Sequence, residues 1–125
     1  MGRRVLVIED TADNRQIIGD VLTAAGYEML AATDGAEGLA AASEQRPDLI
    51  LMDIQLPVMD GYETTRRIKS DPALRHIPVI AVTSYALSGD EEKTRAAGCD
   101  AYIAKPFSPR HLLATVQSFL PIGED

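Results

Sequence analysis

Cysteine and tryptophan are nearly missing from this chain, and it has no long apolar run. The chain has no tryptophan. Cys99 is the single cysteine, so no disulfide can form within the chain. A lone cysteine favours a reducing compartment. No apolar stretch approaches the roughly 20 residues of a membrane-spanning helix, and the first apolar run is too short for a signal peptide. These absences predict a cytoplasmic protein without membrane insertion.

Positive charge is also scarce. The chain has 12 Lys and Arg residues against 19 Asp and Glu residues, which gives a formal net charge of -7 at pH 7. Nucleic-acid binding depends on basic surfaces that neutralise phosphates, and anionic membranes attract the same surfaces. The charge balance therefore argues against direct nucleic-acid or membrane binding.

Length and composition are those of one ordinary globular domain. The chain has 125 residues, of which 46% are hydrophobic and 25% are charged. These values are typical of a soluble domain with a conventional core. The sequence shows no linker, no low-complexity segment and no internal repeat. We expect a single domain over residues 1–125, with its core at about residues 4–119.

Short apolar runs alternate with helix-like segments along the chain. Residues 5–8, 49–52 and 79–82 are continuous apolar runs, which is the pattern of strands buried on both faces. Residues 27–32 and 101–104 are weaker strand candidates. Five strand-helix units in succession predict an α/β fold, with a doubly wound parallel sheet of five strands.

Helix start and stop signals separate these strands. The pairs Asp34/Glu37, Asp60/Glu63 and Ser88/Glu91 have the spacing of capping boxes, and Ser108 followed by Pro109 is a typical helix start. Stop signals come at Gly26, Pro47, Asp71–Pro72 and Gly98, and the last helix is expected to end near Phe119.

Charged and hydroxyl side chains follow four of the five predicted strands. In an open parallel sheet, function collects at the carboxyl ends of the strands. The residues found there are Glu9 and Asp10 after the first strand, Asp53 after the third, Thr83 and Ser84 after the fourth, and Lys105 and Pro106 after the fifth. Three carboxylates, two hydroxyls and an ammonium are thus predicted to share one rim.

This combination suits the handling of a phosphoryl group. Three carboxylates on one rim repel one another, and a hard cation such as Mg²⁺ relieves that repulsion with oxygen ligands. A cation, a lysine and a hydroxyl can bind a phosphoryl dianion, and a carboxylate can serve as its acceptor. Any one of these acids alone is more simply read as a helix cap. Their coincidence on one rim favours the functional interpretation.

With these residues in view, the sequence resembles the receiver domain of two-component response regulators, of the stand-alone type without an output domain. The resemblance covers residues 5–119. It rests on Glu9–Asp10, on Asp53 in the segment 51–57, on residues 59–61 (Met-Asp-Gly), on Thr83 and on residues 105–107 (Lys-Pro-Phe). It implies a flavodoxin-like (βα)5 fold with strand order 2-1-3-4-5.

The resemblance also assigns roles to the metal and acceptor residues. Asp53 is expected to be the phosphoacceptor and a metal ligand. Asp10 would bind Mg²⁺ directly, Glu9 would act through metal-bound water, and the backbone carbonyl of Gln55 would complete the protein's share of the coordination. Mn²⁺ is an alternative ion.

Further roles implied by the resemblance concern the phosphoryl group and the response to it. Thr83, Ser84 and Lys105 would bind phosphoryl oxygens, and a cis peptide is expected between Lys105 and Pro106. Thr83 and Tyr102 would form a switch. Gln55 and Tyr85 would control access to the phosphate.

The function implied is that of a phosphorylation-switched signalling protein, not of an enzyme. It would receive its phosphoryl group from a sensor histidine kinase or a histidine phosphotransfer protein, and would take part in its own phosphorylation and dephosphorylation. It would then signal to a downstream protein target through the fourth helix, fifth strand and fifth helix. A homodimer through that face and a monomer both stay open.

Three alternatives to a stand-alone regulator can be compared with these residues. The chain could be a receiver excised from a hybrid histidine kinase or a larger regulator, although its Met1 start favours a complete protein. A haloacid-dehalogenase-like phosphotransferase also uses aspartate and Mg²⁺, but its nucleophile lies in an Asp-x-Asp pattern after the first strand. Here that strand is followed by Glu9 and Asp10. A flavin carrier is disfavoured because these two acids would repel the flavin phosphate.

Overall fold

The computed structural model of the chain describes residues 3–56, 59–83 and 90–121, with Asp90 and Glu91 described only in their backbone. Five strands and five helices alternate along these ranges. Their bounds are β1 (Arg4–Ile8), α1 (Ala12–Ala24), β2 (Glu28–Ala32), α2 (Gly35–Gln45), β3 (Leu49–Asp53), α3 (Gly61–Ser70), β4 (Val79–Thr83), α4 (Asp90–Ala97), β5 (Ala101–Ala104) and α5 (Pro109–Phe119). Within the described ranges, no helix has the length and apolar character needed to cross a membrane.

The five strands form one parallel sheet in the order β2-β1-β3-β4-β5. Ile8 at the end of β1 pairs with Met52 of β3, and Thr83 at the end of β4 pairs with Ala104 of β5. The carboxyl ends of β1, β3, β4 and β5 therefore meet at one edge of the sheet. This confirms the predicted fold class and strand order.

The core lies on both faces of the sheet because alternate residues of a strand point in opposite directions. On one face, alternate residues of β1 and β3 pack with α2 and α3 (Leu6, Ile8, Ile50, Met52, Ala42 and Ile68). On the other face, the remaining residues of these strands pack with α1 and α5 (Val5, Val7, Leu49, Leu51, Ile18, Leu22, Leu112 and Val116). Burial on both faces explains the continuous apolar runs.

Strand boundaries differ from the prediction by one residue at four places. β1 begins at Arg4 rather than at Val5, because Arg4 pairs with Glu28 of β2. β3 and β4 each extend to include Asp53 and Thr83, because the ladder continues through the pairs Asp53–Val82 and Thr83–Ala104. β2 begins at Glu28 rather than at Tyr27. Tyr27 is instead buried in the core beside α1 and α5, and its hydroxyl donates a hydrogen bond to the Leu120 carbonyl at 2.5 Å.

A second contact fixes the chain just past α5. The Arg3 side chain donates from Nε to the carbonyl of Pro121 at 2.8 Å. Arg3 and Tyr27 directly precede β1 and β2, so both contacts lie at the amino ends of the strands. The chain after α5 is therefore held at the sheet edge opposite to the one that carries the charged residues.

Within the described residues, side-chain caps start three helices, α2, α3 and α5. Asp34 and Asp60 accept hydrogen bonds from the backbone N–H groups of Glu37 and Glu63, at 2.8 and 2.9 Å. The Glu37 carboxylate accepts a hydrogen bond from the backbone N–H of Thr33, one residue before the cap residue Asp34. The predicted capping box would have used the N–H of Asp34 itself. The third predicted box begins at Ser88, which lies outside the described residues.

Replacing the cap of α5 gives a first stability prediction. Ser108 Oγ accepts a hydrogen bond from the backbone N–H of His111 at 3.0 Å. Ser108→Ala leaves this N–H without its side-chain acceptor, so we expect the free energy of unfolding to fall by about 1 kcal/mol in urea titrations. Ser118→Ala is the matched control in the same helix, because the Ser118 hydroxyl donates to the Thr115 carbonyl in the last turn at 2.7 Å, far from the cap. Equal effects of the two substitutions would contradict the capping role.

Candidate functional site

Three acidic side chains meet at the carboxyl edge of the sheet. Glu9 and Asp10 follow β1, and Asp53 ends β3. One carboxylate oxygen from each lies within 4.8 Å of the others. Glu9 and Asp53 are buried, at 1% and 3% exposure, while Asp10 is exposed. The arrangement concentrates negative charge at a point that opens to solvent through Asp10.

Lys105 brings a positive charge into this acidic cluster. Its Nζ lies 3.5 Å from Glu9 Oε1 and 3.4 Å from Asp53 Oδ2. Lys105 follows β5, and the peptide bond from Lys105 to Pro106 is cis. Since one ammonium faces three carboxylates, ionised side chains leave the site with a net charge of about -2 that a divalent cation could balance.

Backbone N–H groups hold the two buried carboxylates in place. Glu9 Oε2 accepts a hydrogen bond from the N–H of Thr11 at 3.1 Å. Asp53 Oδ1 accepts one from the N–H of Gln55 at 3.0 Å. Each carboxylate therefore has one oxygen on a backbone N–H and the other directed at Lys105. Thr11 is the N-cap residue of α1, and its own side chain makes no capping hydrogen bond.

The pKa of Asp53 is perturbed by this setting. The pKa is raised from the ordinary value of 3.8 to about 6; burial is the largest cause, and the negative charge of Glu9 acts in the same direction. The Gln55 N–H and the Lys105 ammonium act in the opposite direction. A carboxyl group with a pKa near neutrality, at a cluster of like charges, favours occupation by a proton or a cation.

Thr83 and Tyr102 lie on the neighbouring strands β4 and β5. Thr83 is fully buried at the end of β4, and Tyr102 is half-buried against the core on the α2 and α3 side. Thr83 pairs with Ala104, and Ala81 pairs with Tyr102. Because paired residues, and residues two apart, point the same way, Thr83 and Tyr102 share one face of the sheet.

The structure brings four of the predicted site residues into direct proximity: Glu9, Asp10, Asp53 and Lys105. Thr83 ends the strand adjacent to β3, and Gln55 is fixed by its bond to Asp53. Ser84 and Tyr85 lie outside the described residues.

Sequence reasoning missed two residues that shape the site. Arg15 Nη1 donates to the Glu9 carbonyl at 2.8 Å, although an arginine early in a helix resembles a solvated charge in the sequence. Gly61 approaches the end of β3 so closely that a Cβ atom there would lie 2.5 Å from the Asp53 carbonyl oxygen. The second had a signal, since Gly61 belongs to the motif at residues 59–61.

Known relatives match the chain over almost its whole length. Residues 5–117 match the profile described as response regulator receiver domain. The polar-differentiation response regulator DivK of Brucella anthropi is 49% identical over 120 residues, which cover 96% of this chain and 98% of that protein. DivK of Brucella ovis is 48% identical over the same shares of both chains.

Solved structures agree in fold. The receiver domain of sensor histidine kinase PA1611 from Pseudomonas aeruginosa, with a magnesium ion coordinated in its active site cleft, is 39% identical with a TM-score of 0.88, covering 95% of this chain and 98% of that one. Chemotaxis protein CheY4 of Vibrio cholerae is 32% identical with a TM-score of 0.90, covering 96% and 100%. On the family profile, the sequence identity and the shared fold, this chain belongs to the response regulator receiver domain family of two-component signalling.

Proposed function

We propose that the protein accepts a phosphoryl group on Asp53 from a phosphohistidine of a histidine kinase or a phosphotransfer protein, and then signals through protein contacts. The observation that carries this is the placement of Asp53, buried, with Lys105 Nζ 3.4 Å from Oδ2 and two more carboxylates beside it. A structural salt bridge needs one acid, whereas this site gathers three around one lysine.

The transfer step follows from the side chains present. An oxygen of the Asp53 carboxylate forms a new P–O bond while the P–N bond of the phosphohistidine breaks. The electron pair of that bond passes to the imidazole nitrogen, which then takes a proton. Lys105 offsets charge on the phosphoryl oxygens, and the Gln55 N–H holds Oδ1 of the acceptor in a fixed orientation.

The acidic cluster fits Mg²⁺, or Mn²⁺ as an alternative, because its donors are carboxylate oxygens. Glu9, Asp10 and Asp53 would hold the ion, Glu9 through metal-bound water, with the backbone carbonyl of Gln55 completing the set. When bound, the ion supplies charge neutralisation for the transferred group.

The raised pKa of Asp53 predicts that Mg²⁺ affinity depends on pH. A proton on this carboxyl competes with the ion, and the pKa is about 6. We therefore expect calorimetric titration to give a Kd about tenfold weaker at pH 5 than at pH 7.5, since about a tenth of the group is ionised one pH unit below its pKa. Equal affinity at the two pH values would contradict Asp53 as a ligand that titrates in this range.

Partner docking is supported by an apolar groove beside the acceptor. Ile17 on α1 is 49% exposed, which is unusual for so large an aliphatic side chain. It lines a groove of about 510 Å³ together with Asn14, Lys105, Pro106 and Phe107. Because Lys105 belongs both to this groove and to the acidic cluster, a partner seated here would bring its phosphohistidine to the rim that carries Asp53.

The output step uses the residues on β4 and β5. A phosphoryl dianion on Asp53 would attract the Thr83 hydroxyl and the Lys105 ammonium, and so would favour one of two arrangements of the face formed by α4, β5 and α5. Tyr102 shares a sheet face with Thr83 and would turn inward in that arrangement.

The Thr83 route can be tested by removing its hydroxyl. Thr83→Ala is expected to leave Asp53 phosphorylation largely intact and to remove the phosphorylation dependence of binding to the downstream target. Pull-down or titration with the phosphorylated and unphosphorylated forms measures this. If target binding by the variant kept its full dependence on phosphorylation, Thr83 would not couple phosphorylation to target binding.

The central test is intact mass after incubation with acetyl phosphate. We expect one phosphoryl adduct with Mg²⁺, none with excess chelator, and none in Asp53→Asn. Asp20→Asn is the matched control, because Asp20 is exposed on α1 and its carboxylate accepts a hydrogen bond from the Gln16 side-chain amide at 3.1 Å. An Asp53→Asn variant that keeps the adduct would refute the proposed role of Asp53. A folded wild-type protein that gains no adduct with Mg²⁺ would contradict phosphorylation by this small donor and would point to a receiver that needs its cognate donor or signals without phosphate.

A further inference from the structure

The Arg15 side chain closes a gap in backbone hydrogen bonding at the end of β1. The N–H of Glu9 still donates to the Ala32 carbonyl at 3.0 Å, which continues the pairing of β1 with β2. β2 ends at Ala32, so the Glu9 carbonyl lies beyond the ladder. Arg15 Nη1 donates to that carbonyl at 2.8 Å in a partly buried position. A side chain on α1 thus replaces the missing strand partner.

Arg15 also bonds to the other end of the loop formed by residues 9–11. The backbone N–H of Arg15 donates to the Thr11 carbonyl at 3.0 Å, which is the first turn of α1. The Thr11 N–H in turn donates to Glu9 Oε2. The loop from Glu9 to Thr11 is therefore held at both of its ends by bonds that involve Arg15.

Asp10 depends most on this arrangement. Glu9 and Asp53 are buried and their carboxylates accept backbone N–H groups, whereas the Asp10 side chain is exposed. The direction of its side chain follows from the orientation of the Glu9–Asp10 peptide group. Arg15 binds the carbonyl of that peptide group, so it fixes the point from which Asp10 reaches the cluster.

We infer that Arg15 is a positioning residue for the metal, whose guanidinium holds the Glu9–Asp10 peptide in the conformation that binds Mg²⁺. This inference rests on the proposed function, in which Glu9, Asp10 and Asp53 hold the ion. Groups that orient metal ligands without touching the metal commonly change affinity 10- to 100-fold.

The charge and the position of Arg15 have opposite effects on a divalent cation. As a positive charge near the acidic cluster, Arg15 repels the ion, and removing it would strengthen binding. As a clamp on the peptide group, it favours binding, and removing it would weaken binding. The sign of the change in affinity therefore separates the two roles.

The experiment is calorimetric titration of Mg²⁺ into the wild type, Arg15→Met, Arg15→Lys and Arg66→Met. Met keeps much of the aliphatic length of arginine but has no donor. We expect Arg15→Met to raise the Kd about 10- to 100-fold, and Arg15→Lys to raise it less, because an ammonium keeps one donor for the carbonyl. Arg66 is an exposed arginine on α3 that pairs with Glu63, so Arg66→Met controls for net charge and should change the Kd less than twofold.

A second readout separates affinity from chemistry. In acetyl phosphate reactions followed by mass, the Mg²⁺ concentration for half-maximal rate should rise in Arg15→Met by the same factor as the Kd. The rate at saturating Mg²⁺ should stay within about twofold of the wild type, because Asp53 and Lys105 are retained. A drop in the saturating rate with unchanged Mg²⁺ dependence would overturn the positioning role.

The outcomes test the role of Arg15 separately from the proposed Mg²⁺ site of Glu9, Asp10 and Asp53. Unchanged or tighter Mg²⁺ binding by Arg15→Met, beside a wild type that binds the ion, overturns the role of Arg15 alone. A wild type that binds no Mg²⁺ refutes the proposed metal site and the inference together. If circular dichroism shows that Arg15→Met is unfolded, the folded Arg15→Lys variant decides by the same comparison: a weaker Kd supports the inference and an unchanged Kd overturns it.

Discussion

Asp53→Asn is expected to increase the free energy of unfolding by about 2 kcal/mol at pH 7 in the presence of chelator. The raised pKa of Asp53, from 3.8 to about 6, means that its ionised form is disfavoured in the folded protein. Each unit of pKa corresponds to about 1.4 kcal/mol, so ionisation costs about 3 kcal/mol. We expect a smaller net gain because Lys105 loses one of its two carboxylate partners and keeps Glu9 at 3.5 Å.

The pH dependence of this effect has a definite sign. Between about pH 4 and pH 6 the folded state binds more protons at Asp53 than the unfolded state does, so wild-type stability from this group falls as the pH rises through that window. Asn does not titrate. The advantage of Asp53→Asn should therefore be small near pH 4 and should reach its full size by pH 7.

Urea unfolding at pH 4.5, 5.5 and 7 with chelator measures this difference, and Asp20→Asn is the control for loss of an exposed carboxylate. An Asp53→Asn variant that is less stable than the wild type at pH 7, or a difference that does not change with pH, would contradict the prediction. Adding Mg²⁺ should reverse the order, because the ion stabilises only a protein that binds it.

Gly61→Ala is expected to cost about 3 kcal/mol of unfolding free energy. A Cβ atom at this position would lie 2.5 Å from the Asp53 carbonyl oxygen and 2.6 Å from Ile54 Cα. Both are backbone atoms, so the start of α3 and the end of β3 must move apart, and overpacking of this kind commonly costs 1–3 kcal/mol. The Gly61 N–H also donates to the Ile54 carbonyl at 2.9 Å, and this bond would be strained.

The same substitution at Gly19 provides the matched comparison. A Cβ atom there would meet Met29 Sδ at 2.6 Å, but a methionine side chain can rotate away. Alanine is also a better helix former than glycine in the middle of α1. We expect Gly19→Ala to change stability by less than about 1 kcal/mol in urea titrations. Equal losses for Gly61→Ala and Gly19→Ala would show that backbone contact is not the cause.

Movement at the end of β3 would also displace Asp53 relative to Glu9 and Lys105. Gly61→Ala should therefore weaken Mg²⁺ binding and slow formation of the acetyl phosphate adduct, while Gly19→Ala should change neither by more than about twofold. Stability and phosphorylation would thus fall together in one variant only.

The positions of the acidic residues followed from local pattern plus one topological rule. Buried apolar runs identified β1, β3 and β4, and parallel strands bring their carboxyl ends to one edge, so Glu9 and Asp53 were expected to meet. Their distances to Lys105 could not be predicted in this way. They depend on the path of the chain after β5, for which the family resemblance was the only guide.

Contacts between a side chain and a distant backbone group could not be predicted from the sequence pattern. The bond from Arg15 to the Glu9 carbonyl arises because β2 stops one residue short of it, and strand ends are the least predictable feature of a sequence. The displacement of Tyr27 from β2 into the core has a similar origin. Its hydroxyl finds the Leu120 carbonyl, which is 93 residues away in the chain.

The anchoring of the chain after α5 has a practical consequence for labelling. Tyr27 and Arg3 hold Leu120 and Pro121 at the amino ends of the strands, whereas Asp53 and Lys105 lie at the carboxyl ends. A fluorophore or affinity handle attached past Pro121 therefore starts across the full length of the sheet from the acceptor. Such a fusion leaves the approach of a phosphoryl donor to Asp53 unobstructed.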